Sequence, residues 1–313
     1  MKKILAELKK ELFYQWFSNM IIVSLSVIIA LSVFNIFTLN KSVFNQYNIY
    51  TQTLKHYKDN GLDINKDLST DYKINTENNI EEIDNILRYD FDAVSNSIED
   101  LNPINSVNSN LSYLTFVFLP IIWGIYGAIV GSYDFKYKTL KIRSILSKNK
   151  NILLSKQLSI TIVIIVNTII SVLIFSMLSF VLYSSILSNN ILKEFITFSR
   201  LNIVNSILQI LFSIITSIIF SNIGLVIGMI SKNALIASLT ICLYNLLIPN
   251  LGVYDFKNLI MNLGGKIYTF NESFQLSLYY PIDNNFIYII FIFIFTFILT
   301  LFCKWFKKTS KFN

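Results

Sequence analysis

Residues 20–39, MIIVSLSVIIALSVFNIFTL, carry no charged side chain, and a helix of roughly 20 apolar residues is what the ~30 Å hydrocarbon core of a bilayer requires. Working outward, similar stretches recur at about Tyr113–Ser132, Leu158–Leu187, Asn202–Ile230, Ala234–Ile248 and Phe286–Phe302, the fifth being the shortest. The pattern predicts an all-α integral membrane protein with six transmembrane helices. Composition agrees. Of 313 residues, 53% are hydrophobic and 14% charged, which leaves room for one helical bundle and a modest extramembrane segment but excludes a separate soluble enzyme domain.

The charges sort by side. If the segments between crossings alternate across the membrane, 16 of the 26 Lys/Arg but 3 of the 19 Asp/Glu fall with the N-terminus, and the other side holds 10 and 16. The Lys/Arg excess sits in short flanks: Lys2, Lys3, Lys9 and Lys10, the 133–157 loop, and Lys304 to Lys311. Both termini are therefore expected to be cytoplasmic. The net charge of +7 reflects topology and implies no nucleic-acid partner. Cys242 and Cys303 lie in apolar stretches, where a thiol acts as a small hydrophobe, so neither a disulfide nor a metal site is expected.

In residues 1–18, Leu5, Leu8, Leu12 and Trp16 recur at three and four among Lys2, Lys3, Glu7, Lys9, Lys10 and Glu11. That spacing predicts an amphipathic helix along the cytoplasmic surface. No small-residue cleavage pattern comes after the first crossing, which is expected to stay in the mature protein. Residues 19–313 form the six-helix domain, with residues 40–112 as an extracellular helical insertion carrying 12 acids against 6 bases. Two apolar stripes predict two helices there, Val43, Phe44, Tyr47, Tyr50, Leu54 and Tyr57 in one, and Ile80, Ile83, Leu87, Phe91, Val94, Ile98 and Leu101 in the other. Gly61 marks the turn between them. Such a hairpin either caps the outer mouth of a pathway or packs on the crossings it joins.

Within the crossings, Pro120 predicts a kink. Gly127 and Gly131, and Gly224 and Gly228, have the four-residue spacing that lets helix backbones approach closely in a bilayer. The fourth crossing has a polar face of Asn202, Asn205, Ser206, Gln209, Ser213, Thr216, Ser217 and Ser221. It must face another helix, a subunit interface or a water-accessible cavity, as a packing seam or a pathway wall. The sixth crossing, almost wholly Phe, Ile, Leu and Thr, suits lipid exposure.

No catalytic constellation is legible. His56 is the sole histidine, too few for a histidine metal cluster or a Ser-His-Asp triad. Asp63, Asn65 and Asp67 begin like a calcium loop, but Leu68 replaces its glycine and Ile74 its glutamate. Gly264-Gly265-Lys266 lacks the rest of a phosphate loop. The chain is expected to bind no cofactor of its own.

The cytoplasmic loop carries a more specific signal. Residues 132–156, SYDFKYKTLKIRSILSKNKNILLSK, have seven bases and one acid. Asp134 precedes the turn Thr139, Leu140 and Lys141, and the apolar run Ile152 to Leu154 ends at Lys156. This order resembles the permease subunits of type-2 ATP-binding-cassette (ABC) exporters, in which an acid after the second crossing precedes a Gly-Thr-Leu turn. The loop departs from that pattern at Lys138, where the family usually has glycine, in lacking a proline, and in Lys148 and Lys150 near the usual arginine. The layout of an amphipathic N-terminal helix, six crossings and an insertion after the first is similar too. The resemblance implies that the 133–157 loop is a coupling helix seated on a separate ATPase subunit, with the N-terminal helix beside it, and that Asp134, Thr139, Lys141, Arg143 and Lys156 serve that contact. It further implies a second permease copy or paralogue, ATP and Mg on the partner subunit, and export of a peptide-like or amphipathic substrate, such as an antimicrobial peptide or antibiotic, across a bacterial plasma membrane. The other reading is a membrane immunity or sensor protein whose acidic outer hairpin binds a cationic peptide without transport.

Overall fold

The computed structural model describes residues 2–77, 80–139, 142–143, 145, 149–189, 191–196, 203–248, 250–253 and 255–270. The expected sixth crossing and Cys303 lie outside them. The described chain is mostly helical, and by length and composition four of its helices can cross a membrane: Met20–Asp59, Ser106–Lys136, 151–188 and Ile203–Ser231. It is a multi-pass membrane protein on that basis. Two compact units divide it, residues 1–30, 111–171 and 207–313 in the first and residues 31–110 and 172–206 in the second.

The first unit begins with α1 (Lys2–Phe17), which turns at Asn19 (φ 58°) into α2 (Met20–Asp59). The helix α5 (Ser106–Tyr113) passes through a π turn at Leu114–Phe118 into α6 (Leu119–Lys136). Pro120 explains the π turn. Proline offers no N–H and its ring crowds the carbonyl four residues back, so the helix widens, and Leu119 N–H reaches back to the Leu114 carbonyl. Next come α7 (Asn149–Ser188), α8 (Ile203–Ser231), the short α9 (Ala234–Cys242) with its own π turn at Leu243–Leu247, and α10 (Phe256–Gly264). The fifth expected crossing is thus an apolar helix over 234–247, about 21 Å long at 1.5 Å per residue.

Glycines set the α6–α8 contact. A methyl group added at Gly127 or Gly131 would run into the carbonyl oxygens of Ser221 and Leu225, and one at Gly224 or Gly228 into those of Gly124 and Ala128. The pairs advance together along both helices, so α6 and α8 run in the same direction with backbones touching. Small-residue spacing that named no partner in the sequence is reciprocal here. Ala128, Ala237 and Ile241 close the α6–α9 side.

The second unit has its own apolar core. Ile36, Leu39, Val43 and Tyr50 come from α2, and Leu87, Val94, Ile98 and Leu101 from the helix α4 (Ile86–Asp100) and its cap. Phe175 and Ile186 of α7 and Leu192 and Phe195 of a 3-10 turn complete it. Phe195 is the hub, with ring centroids 5.0 Å from Tyr50 and 4.8 Å from Phe91. The acidic 40–112 segment therefore shares its core with residues from 172–206. Most of both expected stripes point into it, but Phe44 is exposed.

One expectation is corrected. Ile80 and Ile83 do not extend the second helix; they lie in β2 (Ile80–Ile83), antiparallel to β1 (Ile74–Glu77), with Ile74 opposite Ile83. The helix starts late because Asn85 stops it. Its Oδ1 accepts from Arg88 N–H as an N-cap, and its Nδ2 donates to the Asp67 and Thr70 carbonyls, tying α4 to the small helix α3 (Ile64–Ser69). At the other end Gly61 (φ 67°) closes α2, with Leu62 N–H reaching the Tyr57 carbonyl and Gly61 N–H the Lys58 carbonyl.

Candidate functional site

The loop after α6 begins with a tight helix ending. Thr139 N–H reaches the Asp134 carbonyl and Lys138 N–H the Phe135 carbonyl, which puts Lys138 at φ 53°. That left-handed conformation carries no steric penalty for glycine and roughly 1–2 kcal/mol for other residues. The chain then turns back so that Thr139 Oγ1 donates to Asp134 Oδ1 at 2.8 Å and Arg143 N–H bonds the Thr139 carbonyl.

Arg143 is the centre of the site. Its guanidinium lies 3.0 Å from Asp134 Oδ1, 3.0 Å from Glu7 Oε2 and 2.5 Å from Glu11 Oε1, with its side chain only 10% exposed. Asp134 also pairs with Lys156 Nζ at 3.0 Å, and Lys156 donates to the Val130 carbonyl at 2.6 Å while sitting over the Tyr133 ring. The Tyr133 hydroxyl donates to Glu11, and Lys10 pairs with Glu7 from the solvent side. Three carboxylates meet three cations. α1, α6, the loop and α7 are thereby fastened at one point.

Burial alone would raise the Glu7 pKa, but Lys10 and Arg143 outweigh it and hold it below its usual value of 4.5. At Glu11 burial wins over the pull of Lys156 and Arg143, and the pKa is raised. Burial works against the Arg143 charge, yet Glu11 and Asp134 hold its pKa above the ordinary arginine range. The arrangement joins helices, and no cluster of three potential metal ligands occurs among the described residues.

Of the residues the sequence pointed to, Asp134, Thr139, Arg143 and Lys156 are thus brought together, while Lys141 lies outside the described residues. Glu7, Glu11 and Tyr133 were not foreseen. A signal for them existed, since Glu7, Glu11 and Asp134 are the only acids on the lysine-rich side and all three converge on Arg143. On α1 the polar side, not the Leu and Trp stripe, packs inside the protein. Its buried face is Glu7, Glu11 and Gln15, whereas Leu5 and Trp16 are 58% and 56% exposed. Gln15 donates to Ser159 Oγ and accepts from the Tyr126 hydroxyl, both at 2.8 Å, so the polar face of α1 is satisfied inside the protein.

The polar face of α8 is a second cluster. Gln209, Ser213, Thr216, Ser217 and Ser221 are buried. Ser213 Oγ is 2.8 Å from Thr115 Oγ1 and 2.8 Å from the Tyr268 hydroxyl, which donates to the Gln209 carbonyl at 2.9 Å. Gln209 Nε2 reaches the Ile267 carbonyl, and Ser217 Oγ bonds back to the Ser213 carbonyl. Thr115 belongs to the first π turn, and Phe116 beside it packs on Gly264 and Tyr268. Asn205 is exposed, Ser206 donates to the Ile104 carbonyl, and Asn202 lies outside the described residues.

Compared with protein-family models, with curated proteins and with solved structures, the chain matches none.

Proposed function

We propose that this chain is the permease subunit of an ATP-driven exporter of the type-2 ABC kind. In this reading it has six crossings, both termini in the cytoplasm of a bacterial cell, and residues 40–112 outside. Two permeases, identical or paralogous, pair with two ATPase subunits that hold ATP and Mg, and together they move a peptide-like or amphipathic substrate outward.

The observation that carries the reading is the Arg143 joint. A loop that transmits force must be fastened to the helices it moves, and this one is bound to α1, α6 and α7 through Glu7, Glu11, Asp134 and Lys156. The loop also presents a free face. Ile142 and Ile145 are 64% and 79% exposed, apolar side chains suited to a partner's groove. Lys138 supports the resemblance from another direction, because its left-handed backbone is the conformation a family glycine would adopt. The labour is divided accordingly: Ile142 and Ile145 dock, while Asp134, Arg143 and Lys156 hold the loop rigid, so that closure of the ATPase pair favours one of two arrangements of the attached helices.

The test is a pull-down of tagged protein in mild detergent, with ATPase assay and mass spectrometry of what comes with it. Wild type should retain a nucleotide-binding subunit with ATPase activity, and Ile142→Glu/Ile145→Glu should lose it while still folding. If wild type recovers no ATPase, the exporter reading fails. The alternative is then a peptide-binding immunity or sensor protein, which the separate apolar core of the acid-rich second unit favours.

A further inference from the structure

A cavity of about 540 Å³ opens among the C-terminal end of α1, the start of α2, the C-terminal end of α6 and the first residue of α9. That volume is in the range of sites that hold an organic ligand, roughly 300–1,000 Å³. Tyr14, Phe17, Met20 and Ile129 give it apolar walls, Ala234 closes one side, and Lys136 stands in its lining. The single acid of the lining, Asp134, is already neutralised by Arg143 and Lys156. Lys136 makes only a cation–π contact with Tyr137 and no ion pair among the described residues. Lys138 and Lys232 flank the same helix ends, and both are exposed. The unpaired charge around the cavity is therefore positive.

Position narrows the ligand. Tyr14, Trp16 and Phe17 are exposed at the junction of α1 with a membrane-length helix, where amphipathic aromatic rings settle at the headgroup level. Basic pockets between membrane helices at that depth bind anionic lipid headgroups. We propose that this cavity is a binding site for one anionic phospholipid, its phosphate at Lys136 and an acyl chain along Phe17 and Met20. A soluble phosphorylated metabolite would leave the apolar wall unfilled, and a zwitterionic lipid would bring its own cation against the lysines. The lipid would pack between α1 and α6 beside the Arg143 joint. The inference requires only that the chain crosses a membrane and is independent of any ATPase.

Native mass spectrometry tests it on the delipidated full-length protein, titrated with dioleoyl-phosphatidylglycerol or dioleoyl-phosphatidylcholine. The first phosphatidylglycerol should bind about fivefold more tightly, the factor for ~1 kcal/mol per lysine near anionic lipid. Lys136→Gln, at an exposed position, should abolish that preference without lowering the melting temperature. Ala234→Trp should weaken binding of both lipids by filling the cavity, with helix content by circular dichroism as its folding control. Equal affinity for the two lipids in wild type, an intact preference in Lys136→Gln, or displacement by millimolar inorganic phosphate alone would each overturn the proposal.

Discussion

The Arg143 joint and the α8 seam are both buried polar clusters in a chain dominated by apolar residues, and they are built from different chemistry. The joint gathers around the C-terminal end of α6 and the loop after it and uses full charges, with Arg143 touching Glu7, Glu11 and Asp134. The seam lies along a membrane-length helix and uses hydroxyls and an amide, with Ser213 between Thr115 and Tyr268. The difference stems from the solvent each would otherwise meet. A charge at the bilayer centre is costly even when paired, whereas a hydroxyl can satisfy itself on its own helix carbonyls, as Ser217 does on Ser213. Near a helix end the long Arg and Lys stems reach partners close to the interface. The joint should therefore be strong and intolerant of losing a member, and the seam weak and forgiving.

The largest expected effect tests the first half of that contrast. Arg143→Met leaves Glu7, Glu11 and Asp134 with Lys156 and the partly exposed Lys10 as their remaining cations. Breaking a buried ion network by removing one partner typically destabilises by about 3–5 kcal/mol. Thermal unfolding in detergent should show a loss of that order, and a loss near zero would mean the carboxylates reach water in solution.

The seam should respond far less. A double-mutant cycle of Ser213→Ala with Tyr268→Phe should give a coupling energy of about 0.6 kcal/mol and no more than ~1.7, the range of hydrogen bonds between membrane helices. A coupling as large as the Arg143→Met effect would erase the distinction between the two clusters.

How far these features could be read in the sequence depends on the range of the interactions behind them. The four membrane-length helices were legible because hydropathy is local, and so was the α8 polar face, because its spacing forces it inward. The partners of that face, Thr115 and Tyr268, were not, since they come from 98 and 55 residues away. The apolar stripe of α1 was legible too, but the partners of its polar face were not. In water an exposed Leu5 and Trp16 would be unfavourable, but beside a bilayer their exposure has little penalty, and Glu7, Glu11 and Gln15 turn inward because distant partners await them. The late start of α4 at Ile86 shows a local rule overriding a periodic one, since the Asn85 cap and the β-branched Ile74, Thr76, Ile80 and Ile83 outweigh an apolar repeat that would have run through them.

The smallest effect is the pH response of stability, which the joint should show, with opposite signs at Glu7 and Glu11, and the seam should not. Glu7 has its pKa lowered in the folded protein, so its contribution is present above the unfolded value near 4.5 and is lost as pH falls through the folded pKa. Glu11 has its pKa raised, so its contribution is full below that value and is lost as pH rises through the folded pKa. In wild type the two trends oppose each other. Glu11→Gln should therefore gain stability relative to wild type as pH rises above about 4.5, and Glu7→Gln should lose stability relative to wild type as pH rises toward that point from below. Burial pushes the Tyr268 hydroxyl up to about 12, so Tyr268→Phe should track wild type throughout. Melting temperatures of the four proteins from about pH 4 to 7 read the upper window directly, and urea midpoints at lower pH read the lower one. Parallel slopes for Glu7→Gln and Glu11→Gln would mean that the two carboxylates titrate as one group, making Arg143 the sole organiser of the joint.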